Sequence, residues 1–394
     1  MRYVTRSIGT EILKADRHFP AIILTGPRRA GKTTLLRHLY PSALYVLLED
    51  PDVVARVKAD PNGFLDELRT PAILDEIQNA PELLGYIRSR IDRNPQKHGR
   101  WLLTGSQEAP LMKGVTESMT GRAAVFQLLP FSLRESPKVS LVRGGFPEVV
   151  AKPSVAGTWF RSYVQTYLER DVRAVSSIRN LATFRRFMAL LASRCGQMLN
   201  KTDLAAPLGV SVPTITEWLS ILEITGQIIL VPPFYENFGK RLVKSPKLYF
   251  IDSGLACHLL GVGSERALGG SPFLGAVFEG FAASEIVKHQ LDSGKERALY
   301  YFRDQQGLEV DFIVPLGSGK IALLEAKATA TPMPDAAKPL RQLQRSITRY
   351  ESVAAVVCRT AGGKTGFTAL SPGVKAIPIE GLHEFLGRFP GAGR

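Results

Sequence analysis

Apolar residues in the first third of the chain fall in short continuous runs, at 21–25, 44–48, 72–75, 101–104 and 124–129, separated by helical or polar segments. Runs of this length without polar alternation are what strands buried on both faces require. The region therefore predicts an α/β layer around a parallel sheet, ending near residue 135. The first run, Ala21-Ile22-Ile23-Leu24-Thr25, leads through a glycine-containing loop into Thr33-Thr34-Leu35-Leu36-Arg37-His38-Leu39, which has the helical period.

From about 157 to 225 the spacing changes to three and four, set by Trp159, Tyr163, Tyr167, Phe184, Phe187, Leu190 and Leu191, and predicts a helical bundle. Within it, residues 201–206 and 211–219 read as two short helices joined by a tight turn at Gly209, with Ser211 capping the second. Ile228-Ile229-Leu230-Val231 then begins a β wing, which gives a winged helix-turn-helix outline. The last third reads as helix (273–291), three strands (299–303, 309–314, 321–326), helix (335–350) and strand (352–358). Four parts are expected: an α/β domain at 1–135, a helical lid or linker at 136–180, the winged helix-turn-helix domain at 181–255, and a mixed α/β domain at 256–394. At roughly 100–200 residues per domain, 394 residues leave room for several separate cores. No internal repeat or low-complexity tract interrupts them.

Composition narrows the class. With 45% hydrophobic and 22% charged residues the chain is globular rather than fibrous or disordered. A formal charge of +14 and a pI near 9.7 favour polyanionic partners. No apolar run reaches the ~18 residues of a membrane span, and the N-terminus lacks the apolar core of a signal peptide, so a cytoplasmic protein without a membrane partner is expected. The three cysteines, Cys195, Cys257 and Cys358, lie far apart without histidines at ligand spacing, which supports neither a disulfide framework nor a zinc site.

The loop after the first run, Gly26-Pro27-Arg28-Arg29-Ala30-Gly31-Lys32-Thr33, fits G-x-x-x-x-G-K-[ST] between a strand and a helix, the context that motif requires. Gly26 and Gly31 let backbone N–H groups turn inward around phosphates, Lys32 reaches the β and γ oxygens, and Thr33, followed by Thr34, offers a hydroxyl to Mg²⁺. The expected ligands are ATP and Mg²⁺. A second strand ends in Asp75-Glu76, placing one carboxylate for the metal shell and one to polarise the attacking water. A third leads from Thr104 into Gly105-Ser106-Gln107, where Ser106 or Thr104 is placed to sense the γ-phosphate. Arg122, after Gly121, is a candidate to project into a neighbouring subunit's site, with Arg90, Arg93 and Arg134 as rivals.

Together with Ile73-Leu74-Asp75-Glu76, Leu103-Thr104-Gly105-Ser106, Gly121-Arg122 and the later Pro246-Lys247-Leu248-Tyr249-Phe250-Ile251-Asp252-Ser253-Gly254-Leu255, the loop resembles the prokaryotic AAA+ ATPases that carry a C-terminal domain of unknown function. The resemblance covers nearly the whole chain, about 1–380. It implies ATP hydrolysis by a homo-oligomer, a hexameric ring or a partial one, with a winged-helix middle and a nuclease-like tail.

In that tail, Glu279 lies in an apolar helix, Asp311 in the strand Glu309–Val314, and Glu325-Ala326-Lys327 ends the strand begun at Ile321. The element order is similar to the restriction-endonuclease-like, or PD-(D/E)xK, core. There, carboxylates at the positions of Glu279, Asp311 and Glu325 hold Mg²⁺, while a lysine at that of Lys327 positions a water for attack on a phosphodiester. Val310 replaces the usual proline before the aspartate, and such a fold also serves as a pure binding module.

Over residues 161–250, twelve basic residues (Arg161, Arg170, Arg173, Arg179, Arg185, Arg186, Arg194, Lys201, Lys240, Arg241, Lys244 and Lys247) face six acidic ones, leaving +6 of the total +14. DNA backbone contact through the helices and a Lys240–Lys247 wing fits that excess. The second helix of the turn motif has no Lys or Arg and two glutamates, which favours sequence-independent binding. The leading expectation is a DNA-handling ATPase; a switch acting on protein partners and a nuclease licensed by ATP are the alternatives.

Overall fold

The computed structural model describes residues 3–105, 118–167, 181–234, 245–360 and 366–389. The N-terminal layer contains α1 (Gly9–Ala15), β1 (Ala21–Thr25), α2 (Lys32–Leu39), β2 (Leu44–Leu47), α3 (Pro51–Ala59), α4 (Pro61–Asp66), β3 (Ala72–Asp75), α5 (Leu83–Arg93), β4 (Trp101–Thr104) and β5 (Ala123–Gln127). Its five strands run parallel in the order β2-β3-β4-β1-β5. All five residues of β1 and all four of β3 and β4 are buried, which is why their sequences are unbroken apolar runs. One apolar cluster, with Leu74, Leu84 and Leu103, covers one face of the sheet, and another, with Ile22, Leu35 and Leu102, covers the other.

The middle part holds α6 (Pro147–Ala151), α7 (Ala156–Tyr167), α8 (Leu181–Ser193), α9 (Lys201–Ala205) and α10 (Val212–Ile224), followed by β6 (Ile228–Val231) and β7 (Lys247–Phe250), which pair antiparallel. Asn200 and Ser211 cap α9 and α10, and Gly209 turns between them at φ +65°. The expected pair of short helices and a following strand are present; residues 235–244 lie outside the described residues. Phe184, Phe187, Trp218 and Leu222 form the core of these helices.

The C-terminal part holds α11 (Ser253–Leu259), α12 (Glu265–Gly269), α13 (Leu274–Asp292), β8 (Tyr300–Arg303), β9 (Glu309–Gly317), β10 (Lys320–Lys327), α14 (Lys338–Ser346), β11 (Glu351–Cys358), β12 (Thr368–Ser371), β13 (Val374–Pro378) and α15 (Leu382–Gly387). Six strands form a mixed sheet in the order β12-β13-β11-β10-β9-β8. The helix expected over 335–350 is shorter: a 3₁₀ turn at Pro334–Ala337 leads into α14, which stops at Ser346. The β12–β13 hairpin was not foreseen.

Helix α13 packs on both β7 and β10, so one apolar cluster runs from Leu129 and Phe131 through Tyr249 and Phe278 to Leu324 and Leu386. The signature that ends at Leu255 makes this joint. Asp252 Oδ2 accepts from the Gly145 N–H at 2.7 Å, and Oδ1 caps α11 by accepting from Leu255 N–H at 3.0 Å. Gly254 admits no side chain, since a Cβ there would meet Arg143 carbonyl atoms at 2.4 Å.

Candidate functional site

Strand β1 ends against the chain that follows β5, and the loop leaves it through Gly26 at φ +138°. A Cβ at Gly26 would lie 2.1 Å from Leu128 O, so sterics and backbone conformation both demand glycine. Gly31, at φ +97°, opens α2. Lys32 is 5% exposed, and its ammonium donates to the carbonyls of Gly26 at 3.0 Å and Pro27 at 3.2 Å, which folds it across the loop.

Asp75, 4% exposed, is the polar hub beside the loop. It accepts from Thr33 Oγ1 at 2.9 and 3.0 Å, from Tyr45 OH at 2.8 Å, and from Thr104 Oγ1. Burial, then the bond to Asp75, push the Tyr45 phenol up to about 12, so it stays a donor. Glu76 adopts the left-handed conformation at φ 60°, which aims the two carboxylates differently. Its N–H donates to Thr104 Oγ1 at 3.2 Å, and its side chain takes the Gln78 amide and lies 3.8 Å from Arg28. A hydroxyl and a buried carboxylate thus meet at the N-terminus of α2, a donor set that suits Mg²⁺, next to a loop shaped to hold phosphates.

Thr104 joins Asp75 to the Glu76 backbone; Ser106 lies outside the described residues. Arg122 is paired within its own chain, Nε to Asp92 Oδ1 at 2.5 Å and Nη2 to Oδ2 at 3.0 Å, and Arg90 is held by Asn62 and Asp66.

The loop opens on a cavity of about 1570 Å³, lined by Arg28 to Leu35 and Glu76 on one side and by Tyr3, Arg6, Trp159 and Tyr163 on another. Trp159 and Tyr163 stack at 4.9 Å. Arg6, unforeseen in the sequence, donates to Ala30 O at 2.9 Å and Leu129 O at 2.5 Å, and pairs with Glu135 at 3.0 Å. Gly226, after α10, sits against the loop, where a Cβ would lie 3.2 Å from Pro27 Cδ. These residues carry no local signal, because their partners are remote in sequence.

In the C-terminal part, Glu279, Asp311, Glu325 and Lys327 converge, joined by Lys247, Tyr249 and Glu309. Lys327 pairs with Glu325 at 2.7 Å, Asp311 Oδ2 accepts from Ala326 N–H at 2.9 Å, and Tyr249 OH donates to Glu279 at 2.5 Å. Lys247 Nζ lies 3.0 Å from Glu279, 2.6 Å from Glu309 and 3.4 Å from Asp311. Burial, then the Asp311 charge, raise Glu279 and Glu325 to about 7. Burial alone would lower Lys247, but Glu279, Asp311 and Glu309 outweigh it and hold the ammonium above the ordinary lysine value. Lys247 therefore corrects the sequence reading: at 3% exposure it faces carboxylates, not a DNA backbone. Lys240, Arg241 and Lys244 lie outside the described residues. The donors fit a divalent ion poorly, since an ammonium stands among them; among the described residues no group of three or more His, Cys, Asp or Glu is arranged to hold a metal.

Strand, phosphate loop, helix and acidic strand end define the P-loop ATPase class, and the AAA domain family matches residues 18–136. Two domains of unknown function, DUF8612 and DUF4143, match residues 134–266 and 274–381. The chain is 33% identical over 334 residues to the uncharacterized protein Rv2008c of Mycobacterium tuberculosis and to the uncharacterized protein Mb2031c of Mycobacterium bovis, covering 83% of this chain and 74% of each relative. It belongs to their family. Among solved structures it is similar to a Walker-type ATPase of Pyrococcus abyssi (15% identity, 65% of this chain and 96% of that one, TM-score 0.41). It is also similar to the RuvB T158V variant of Thermotoga maritima (16% identity, 57% and 87%, TM-score 0.30). Scores this low bear on function in neither case. Residues 18–136 are thus a nucleotide-binding domain of the AAA, ATPase-like kind, and no helix among the described residues is long and apolar enough to cross a membrane.

Proposed function

We propose that the chain is an Mg²⁺-dependent ATP-driven switch in which residues 26–34 hold the triphosphate, Thr33 and Asp75 hold the metal, and Glu76 polarises the attacking water. The carrying observation is the hub at Asp75, which gathers the Thr33 and Thr104 hydroxyls beside the loop while the backbone turn at Glu76 aims a second carboxylate separately. Mg²⁺, when bound, neutralises charge on the β and γ oxygens; the chain itself supplies the lysine, the hydroxyl and the paired acids. The loop touches the middle part through Pro27 and Gly226 and the N-terminal segment through Arg6, which also pairs with Glu135 beyond β5, so a change at the phosphates has short routes into the rest of the fold. The test is steady-state ATPase and nucleotide binding with and without Mg²⁺. Lys32→Ala is expected to lose binding, and Glu76→Gln to retain binding while turnover falls by about 10²-fold. Full activity in either variant would overturn the assignment.

A second reading makes DNA the partner of the switch, bound through its backbone. Arg161, Arg185 and Arg194 are exposed in a chain of net charge +14, whereas α10 presents no basic residue. A winged-helix arrangement of α8 to β7, a restriction-endonuclease-like C-terminal core and a ring that carries Arg122 to a neighbouring site belong to this reading; cleavage does not.

A further inference from the structure

The C-terminal carboxylates form a cation site whose cation the chain already supplies. Lys247 is 4% exposed at its side chain and lies within 3.4 Å of three carboxylates, from α13 and from two positions on β9. The surrounding acceptors are engaged as well: Glu309 by Arg303 at 2.9 Å, Asp311 by the Ala326 N–H, Glu325 by Lys327 and Glu279 by Tyr249. Glu325 Oε2 is buried and has no hydrogen-bond partner among the described residues.

Four acidic groups packed this closely need positive charge, because a carboxylate left unpaired away from water is strongly destabilising. A divalent ion would satisfy them by taking carboxylate oxygens at about 2.0–2.6 Å from one centre. The Lys247 ammonium instead meets three of them with its three N–H donors, and Lys327 takes the fourth, Glu325. Both cannot stand at the same point. The lysine is carried by β7, whose sheet partner is β6 of the middle part, while its acceptors sit on α13 and β9.

We propose that Lys247 is an internal plug. Its ammonium takes the place of a divalent cation among Glu279, Glu309 and Asp311, closes that cluster to metal ions while β7 is seated, and pins the middle part to the C-terminal sheet. Removing the ammonium without removing the side chain converts the cluster into a divalent-cation site.

The test is Mn²⁺ binding to the nucleotide-free full chain, read from the electron paramagnetic resonance of free Mn²⁺. Wild type and Asp311→Asn are expected to bind Mn²⁺ equally, any ion at the phosphate loop being common to both. Lys247→Met gains one ion per chain, at least about tenfold tighter than any in wild type, and Lys247→Met combined with Asp311→Asn loses it. An ion in wild type that Asp311→Asn abolishes would overturn the plug. So would a folded Lys247→Met, by circular dichroism, that gains no ion. Should Lys247→Met fail to fold, the wild type and Asp311→Asn pair decides on its own, equal binding supporting the plug and unequal binding overturning it.

Discussion

Gly26 carries a constraint that no other residue type meets. Its φ of +138° lies outside the region open to L side chains, and the space its Cβ would take is filled by the Leu128 carbonyl, a backbone atom that cannot swing aside. Gly26→Ala is therefore expected to distort the phosphate loop locally. ATP affinity should fall by at least about tenfold while far-ultraviolet circular dichroism stays that of wild type, as a fluorescent-nucleotide titration would show. Lys247 makes the complementary point. Its sequence neighbourhood is basic, yet its spatial neighbourhood is acidic, and the second decides what its charge does.

The joint between the end of the ATPase layer and helices α13 and α15 is a buried polar network. Glu285 accepts from Lys288 at 2.9 Å, from the Leu133 N–H at 2.9 Å and from His383 at 2.8 Å, while Lys288 also donates to Phe131 O at 3.0 Å. Burial works to raise the Glu285 carboxyl, but Lys288 and His383 outweigh it and bring it down to about 2. A carboxylate depressed on folding stabilises fully above its ordinary value of 4.5, and that stabilisation drains away as pH falls through about 2. The thermal midpoint of the wild type is expected to drop steeply over that acid window. Glu285→Gln should be less stable at neutral pH by about 3–5 kcal/mol, since Lys288 is left buried without its carboxylate. It should also show a flatter acid dependence in the same calorimetric series. An unchanged acid slope would remove Glu285 from that role.

Across the whole molecule, one apolar cluster runs from the end of the ATPase layer through β7 to the C-terminal sheet. The middle part is thus packed on both sides, against the loop at Pro27 and against α13. If DNA is the partner, its backbone must meet the exposed arginines rather than α10. Charge reversal at Arg161, Arg185 and Arg194 should weaken DNA binding and reduce the slope of log affinity against log salt by about 0.9 for each phosphate no longer neutralised. Unchanged affinity and slope in a filter-binding or anisotropy series would leave the protein-partner switch as the reading.

Sequence by itself determined the parallel layer, because strands buried on both faces need unbroken apolar runs. It also determined the phosphate loop, because Gly26, Gly31, Lys32 and Thr33 act within eight consecutive residues. It marked Glu279, Asp311, Glu325 and Lys327 through charges set into apolar elements, but not the company they keep. Only the tertiary structure brought Lys247 among them, set Arg6 on the loop and placed Gly226 against Pro27. These meetings join residues as far apart in the chain as Pro27 and Gly226, and their energies depend on burial and charge in three dimensions, which no local spacing encodes.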